Sequence, residues 1–143
     1  MERTGGSGVP ADGILNMKLI IGGAYQGKLD YAKEHFGVES VFTCGRDLPQ
    51  LDFSKDAIYG LEDFVLACVR SGVEAKDYLM EHRDELEDQV IICTDVSQGI
   101  VPMERELRDM REMTGRAMVW LAKEADCVVR VFCGLGQEIK GKK

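Results

Sequence analysis

The sequence predicts an α/β fold, with a mainly parallel sheet and helices on both faces. Three observations carry that expectation. Short apolar runs rich in Val and Ile alternate with segments whose apolar residues recur every three or four positions. Gly and Pro mark most of the junctions between them. The length of 143 residues suits one domain with a proper core, and is too short for two.

The first strand is Met17-Lys18-Leu19-Ile20-Ile21. Leu19–Ile21 is apolar on both faces, which places this strand inside the sheet and not on its edge. It meets Gly22-Gly23-Ala24-Tyr25-Gln26-Gly27-Lys28-Leu29. The spacing is that of a phosphate-binding loop up to the lysine, with Leu29 where Ser or Thr would ligate Mg²⁺. Glycines let such a loop fold closely round phosphate oxygens, and the helix that follows adds partial positive charge. Lys28 would neutralise the outer phosphates. A tight strand–helix turn with Lys28 facing solvent is the competing reading.

Leu29, Ala32 and Phe36 then recur at helical spacing, and Gly37 stands where a helix C-cap would. Residues 39–44 read as a second strand. The polar connection Gly45–Lys55, broken by Pro49, is the expected mobile loop. Ala57–Tyr59 forms a short strand. Leu61, Phe64, Val65 and Cys68 mark a helix that stops at Ser71-Gly72. Residues 74–87 read as one further helix, with Ala75, Leu79, His82 and Leu86 on its apolar face. His82 is expected half-buried and satisfied. His35, near a helix end, is expected to face the helix dipole.

Val90–Thr94 is the second clear buried strand and opens into the turn-rich stretch 95–102. Leu107, Met110, Thr114, Ala117, Leu121 and Ala125 trace the longest helix. Asp126–Cys133 is a last buried strand, and the basic end Lys140-Gly-Lys-Lys143 reads as a solubilising tail. Ligands of parallel α/β sheets bind outside the carboxyl ends of the strands. The loop at 22–28 and the turn at 94–102 therefore share one edge. Asp95 becomes a candidate catalytic residue beside Lys28, orienting metal or water near the phosphates. Capping its turn is an equally open role.

Residues 1–16 are rich in Gly and polar residues and read as a flexible leader, with the folded unit starting near Met17 and running to residue 143. A net charge of −7 argues against broad nucleic-acid or anionic-membrane binding. No run approaches the ~20 apolar residues of a membrane span. Five cysteines (44, 68, 93, 127 and 133) lack Cys-x-x-Cys pairing. Cys44, Cys93 and Cys133 fall in strand-like runs, so reduced, buried thiols and a cytoplasmic location are expected.

Two stretches together resemble the bifunctional adenosylcobinamide kinase/adenosylcobinamide-phosphate guanylyltransferase family of cobalamin synthesis. One is Gly22-Gly-Ala-Tyr-Gln-Gly-Lys-Leu29, similar to the family's Gly-Gly-Ala-Arg-Ser-Gly-Lys-Ser. The other is Thr94-Asp-Val-Ser-Gln-Gly-Ile-Val-Pro102, similar to its Asn-Glu-Val-Gly-x-Gly-Ile-Val-Pro. Arg105, Arg108, Arg111, Gly115-Arg116, Ala125-Asp126-Cys-Val128 and Gly134-Leu135 follow in the family's order. The resemblance implies a P-loop NTPase fold of RecA-like type, a GTP or ATP ligand bound at residues 22–29, and Mg²⁺. It also implies a cobinamide-type substrate, kinase activity and a homo-oligomer, trimeric in the family.

The departures are specific. Leu29 removes the metal-ligating hydroxyl. Gly45–Lys55 contains no histidine, where the family carries the one that accepts the guanylyl group. The family's acid after the second crossover has no clean match, and Glu62 or Asp63 takes its place only if the alignment slides. Nucleotide binding is thus expected ahead of turnover, and histidine-dependent guanylyl transfer is expected to be lost. A relative without catalysis, either nucleotide- or cobinamide-binding or purely structural, is the alternative.

Overall fold

The computed structural model describes residues 15–24, 26–95 and 104–141, with Glu104 described in its backbone alone. Among the described residues six strands form one sheet: β1 (Leu15–Gly22), β2 (Val41–Thr43), β3 (Ala57–Tyr59), β4 (Val90–Thr94), β5 (Ala125–Phe132) and β6 (Leu135–Lys140). The helices are α1 (Lys28–Phe36), α2 (Leu61–Ser71), α3 (Ala75–Glu81) and α4 (Glu104–Glu124). Strand order is β2-β3-β4-β1-β5-β6, parallel throughout except for the antiparallel β5–β6 pair. The chain leaves β1 for the far edge, returns through β3 and β4, and then crosses to β5. The order therefore reverses at β1, where doubly wound sheets open a crevice.

Side-chain alternation along the strands divides the core into two layers. Leu19, Ile91 and Val128 face α2 and α4, where they meet Phe64, Val65, Ala117 and Leu121. Ile20, Ile92 and Val129 face the other way, against Ala32 of α1 and Val38. Burying each of these Leu and Ile side chains contributes roughly 1.5–3 kcal/mol. No helix among the described residues is long and apolar enough to cross a membrane.

The amino edge of the sheet is closed by polar pairs. Lys18 Nζ donates to both carboxylate oxygens of Asp126 at 2.8 and 3.0 Å. Asn16 Nδ2 donates to Asp88 Oδ1, and Arg83 pairs with Glu124 at 2.6 Å. Gln89 Nε2 donates to the carbonyls of Phe53 and Lys55, anchoring the end of the 45–55 connection. Leu51 in that connection is buried, and its N–H donates to Tyr78 Oη at 3.1 Å.

Four expectations need correction. β1 begins at Leu15, not Met17, because Leu15 is fully buried and pairs with Ala125. The helix expected over 74–87 ends at Glu81 and resumes as a 3₁₀ turn at Arg83–Leu86. Its break is His82, whose ring stacks on Tyr78 and Phe53 while Nδ1 donates to Tyr78 O at 2.8 Å. Residues 135–140, where no strand is expected, form β6, which takes in Lys140 of the expected tail. Cys133, expected in a buried strand, is exposed in the β5–β6 turn at φ 53°.

Candidate functional site

β1 delivers the glycine loop to the carboxyl edge. A Cβ on Gly22 would lie 2.5 Å from Val131 O, so a side chain there would push β1 off β5. The loop is gripped from both sides. Asp95 N–H donates to Gly22 O at 2.8 Å. On the other side Gln26 O accepts from Gly134 N–H at 2.8 Å, and Gln26 Oε1 accepts from Cys133 N–H at 2.7 Å. Gly27 then takes a left-handed φ of 88° and caps α1 without any side-chain hydrogen bond to the helix amides.

Lys28 opens α1 and is only 4% exposed. Its Nζ turns back onto the loop and donates to Gly23 O at 2.6 Å. The solvent-facing reading of Lys28 is thereby removed. Burial lowers its pKa, and the negative charge of Glu62 works against that shift.

A cleft of about 430 Å³ opens beside Lys28, with Ala24, Gly27, Arg46, Glu62 and Thr94 among its walls. Glu62 Oε1 accepts from Thr94 N–H at 2.9 Å, which ties α2 to the end of β4. Arg46 Nε pairs with Asp63 Oδ1 at 3.0 Å. Leu29 lines the same cleft and brings no oxygen ligand. The cleft thus combines a helix N-terminus, two cations and two carboxylates, Asp30 and Glu62, a set suited to phosphate with a hydrated cation beside it. Among the described residues there is no cluster of three His, Cys, Asp or Glu fit to hold a metal. Mg²⁺ bound through substrate phosphates needs only one or two protein carboxylates.

The expected site residues divide between two clefts. Ala24, Gly27, Lys28 and Leu29 line the first. Gly22, Gly23 and Asp95 line a second, of about 570 Å³, between α4 and the ends of β1 and β5. Gln26 and Thr94 border both. Tyr25 and most of the 94–102 turn lie outside the described residues. Asp95 is therefore not the acid facing Lys28; Glu62 is. Glu62 stands in the first turn of α2, where an acid merely complements the helix dipole. The signal that could have found it was its place just after β3, at the carboxyl edge.

Neither histidine borders either cleft. His35 lies roughly 10 Å along α1 from Lys28, given a rise of ~1.5 Å per residue, and stacks on Tyr31. His82 packs on Phe53, next to the carbonyl that Gln89 holds at the amino edge. The buried thiols near the cleft are passivated: burial and then Glu62 push Cys44 up to about 12, and burial pushes Cys93 well above its ordinary value. Of the helix arginines, Arg111 lines the second cleft, whereas Arg116 pairs with Glu74 at 2.9 Å and serves the fold.

Comparison with protein-family models and with curated proteins gives no match.

Proposed function

We propose that the chain binds a nucleoside triphosphate, GTP or ATP, through a P-loop formed by residues 22–29. The observation that carries this is Lys28, buried at the head of α1 with its Nζ 2.6 Å from the loop's own Gly23 carbonyl. A buried ammonium is unfavourable without strong acceptors, and one carbonyl is a weak substitute for phosphate oxygens. Phosphate on the loop amides would take over that Nζ, with Arg46 reaching it across the cleft. Glu62 would orient Mg²⁺ through water, a role that Leu29 cannot fill and that Asp95 serves less directly.

The resemblance to the adenosylcobinamide kinase/guanylyltransferase family makes phosphoryl transfer to a cobinamide-type acceptor the reaction to test first. Such a transfer depends on positioning and charge more than on a protein nucleophile. Guanylyl transfer through histidine is not part of this reading, since both imidazoles stand away from the loop. Binding without turnover is the second reading, favoured by Leu29. That resemblance also brings a trimeric assembly and a cytoplasmic setting into the proposal.

Calorimetric titration with GTP and with ATP, each with and without Mg²⁺, tests it. Binding that tightens with Mg²⁺ is expected. Absence of binding by either nucleotide would end the reading. Incubation with GTP labelled at the α-phosphate should leave no acid-labile label on the protein; label that disappears on replacing His35 or His82 would restore the histidine route.

A further inference from the structure

The second cleft contains polar groups that the nucleotide reading does not use. Its wall is largely apolar, formed by Ile21, Met118, Val131 and Phe132. Arg111 and Thr114 enter it from α4, and Arg130 from β5. Arg111, Thr114 and Met118 follow at spacings of three and four, so they share one stripe of the helix. Thr114 is 6% exposed, and its Oγ1 is buried with no hydrogen-bond partner among the described residues. Arg111 Nε is buried in the same way, likewise without an acceptor among the described residues. Arg70 and Arg116, by contrast, are both satisfied by glutamates.

Buried donors are nearly always paired, and here one guanidinium N–H of the half-buried Arg111 and the hydroxyl of the buried Thr114 are not. Two such groups on one stripe, facing one cavity, mark the place of an absent acceptor. Among the described residues lining the cleft, Asp95 is the one acidic side chain, against two arginines, so their balance is net cationic.

We propose that this cleft is a second ligand site, distinct from the nucleotide loop, for a phosphate monoester with an apolar body. Arg111 and Thr114 donate to its oxygens, Arg130 adds charge at the mouth, and Met118 and Phe132 cover the apolar part. Two guanidiniums and a hydroxyl match the double charge and three terminal oxygens of a phosphate monoester better than a single carboxylate. The clefts meet at Gln26 and Thr94, which sets this ligand beside the glycine loop without relying on nucleotide binding there.

Phenyl phosphate is the probe, titrated without nucleotide into the full chain labelled at its methionine methyl groups, with NMR following Met118. A saturable shift of Met118 is expected. Arg111→Gln should weaken binding tenfold or more, and Arg130→Gln, at an exposed position that tolerates change, several-fold. Lys28→Ala should leave it within twofold, and benzoate should bind at least fivefold more weakly. Failure of GTP to bind would leave each of these results standing. No saturable shift, or unchanged affinity in Arg130→Gln and in Arg111→Gln if that variant folds, would overturn the proposal. So would a loss confined to Lys28→Ala, and benzoate binding as tightly as phenyl phosphate would overturn the choice of a phosphate ester.

Discussion

Two lysines lie ten positions apart and serve opposite edges of the same sheet. Lys18, at the amino edge, is held by both oxygens of Asp126 and by Asn16 Oδ1. Lys28, at the carboxyl edge, is more deeply buried and donates to a single loop carbonyl. The same division runs across the molecule. Asn16 and Arg83 find partners near the amino edge, and Gln89 does so through Nε2, although its Oε1 is buried without one among the described residues. At the carboxyl edge, Arg111 Nε and Thr114 Oγ1 are buried without partners among the described residues. Most polar groups at the first edge are tied into the fold, and we propose that those at the second are arranged for ligands.

Replacing each lysine by methionine should sharpen that contrast. Lys18→Met leaves Asp126 without its cation, and should destabilise the protein by roughly 1.5–3 kcal/mol in urea unfolding, the range for hydrogen bonds to charged groups. No loss in that variant would break the comparison at the amino edge.

Lys28→Met should have the opposite sign, a gain of about 1 kcal/mol, because an apolar isostere removes a desolvated charge. The gain should depend on pH. Burial lowers the pKa of Lys28 from its ordinary 10.5, so near that value the unfolded chain binds more protons than the folded one. Stability of the wild type then rises with pH. The penalty is fully present below the folded pKa and fades as pH climbs toward 10.5. The advantage of Lys28→Met should therefore narrow over the same interval. A gain that is constant with pH would mean that the charge of Lys28 is not what folding opposes.

The smallest effect belongs to Arg116, half exposed and paired with Glu74 between α4 and α3. Arg116→Ala should cost roughly 0.5 kcal/mol near neutral pH, as exposed ion pairs do. The Arg116 hydrogen bond holds Glu74 below its usual 4.5. Its contribution is thus present above that value and lost as pH falls through the depressed one. Nucleotide affinity should not change, which separates Arg116 from the arginines of the clefts.

Much of the fold is legible in the sequence because it is local. Leu19–Ile21, Val90–Thr94 and the α4 periodicity each declare their element by pattern alone, and Gly37 closes α1 as a left-handed cap should. β6 is hidden because Leu135-Gly-Gln-Glu-Ile-Lys140 has no buried face of its own; it is a strand only because β5 pairs with it. The break at His82 is equally non-local, since it depends on Phe53 from a distant loop. For the site, the spacing of Gly22, Gly27 and Lys28 points to the turn at the carboxyl end of β1 as the place to look. It does not reveal that Glu62 faces Lys28, or that Asp95 belongs to the neighbouring cleft, because strand order decides both.

The central claim is that the carboxyl edge is arranged for phosphate, and GTP titration of Lys28→Ala beside Lys18→Ala tests it most directly. The account predicts that Lys28→Ala loses roughly 1.5–3 kcal/mol of GTP affinity, the worth of a charge-assisted hydrogen bond, while Lys18→Ala binds as the wild type does. Equal affinity in Lys28→Ala and the wild type would contradict it.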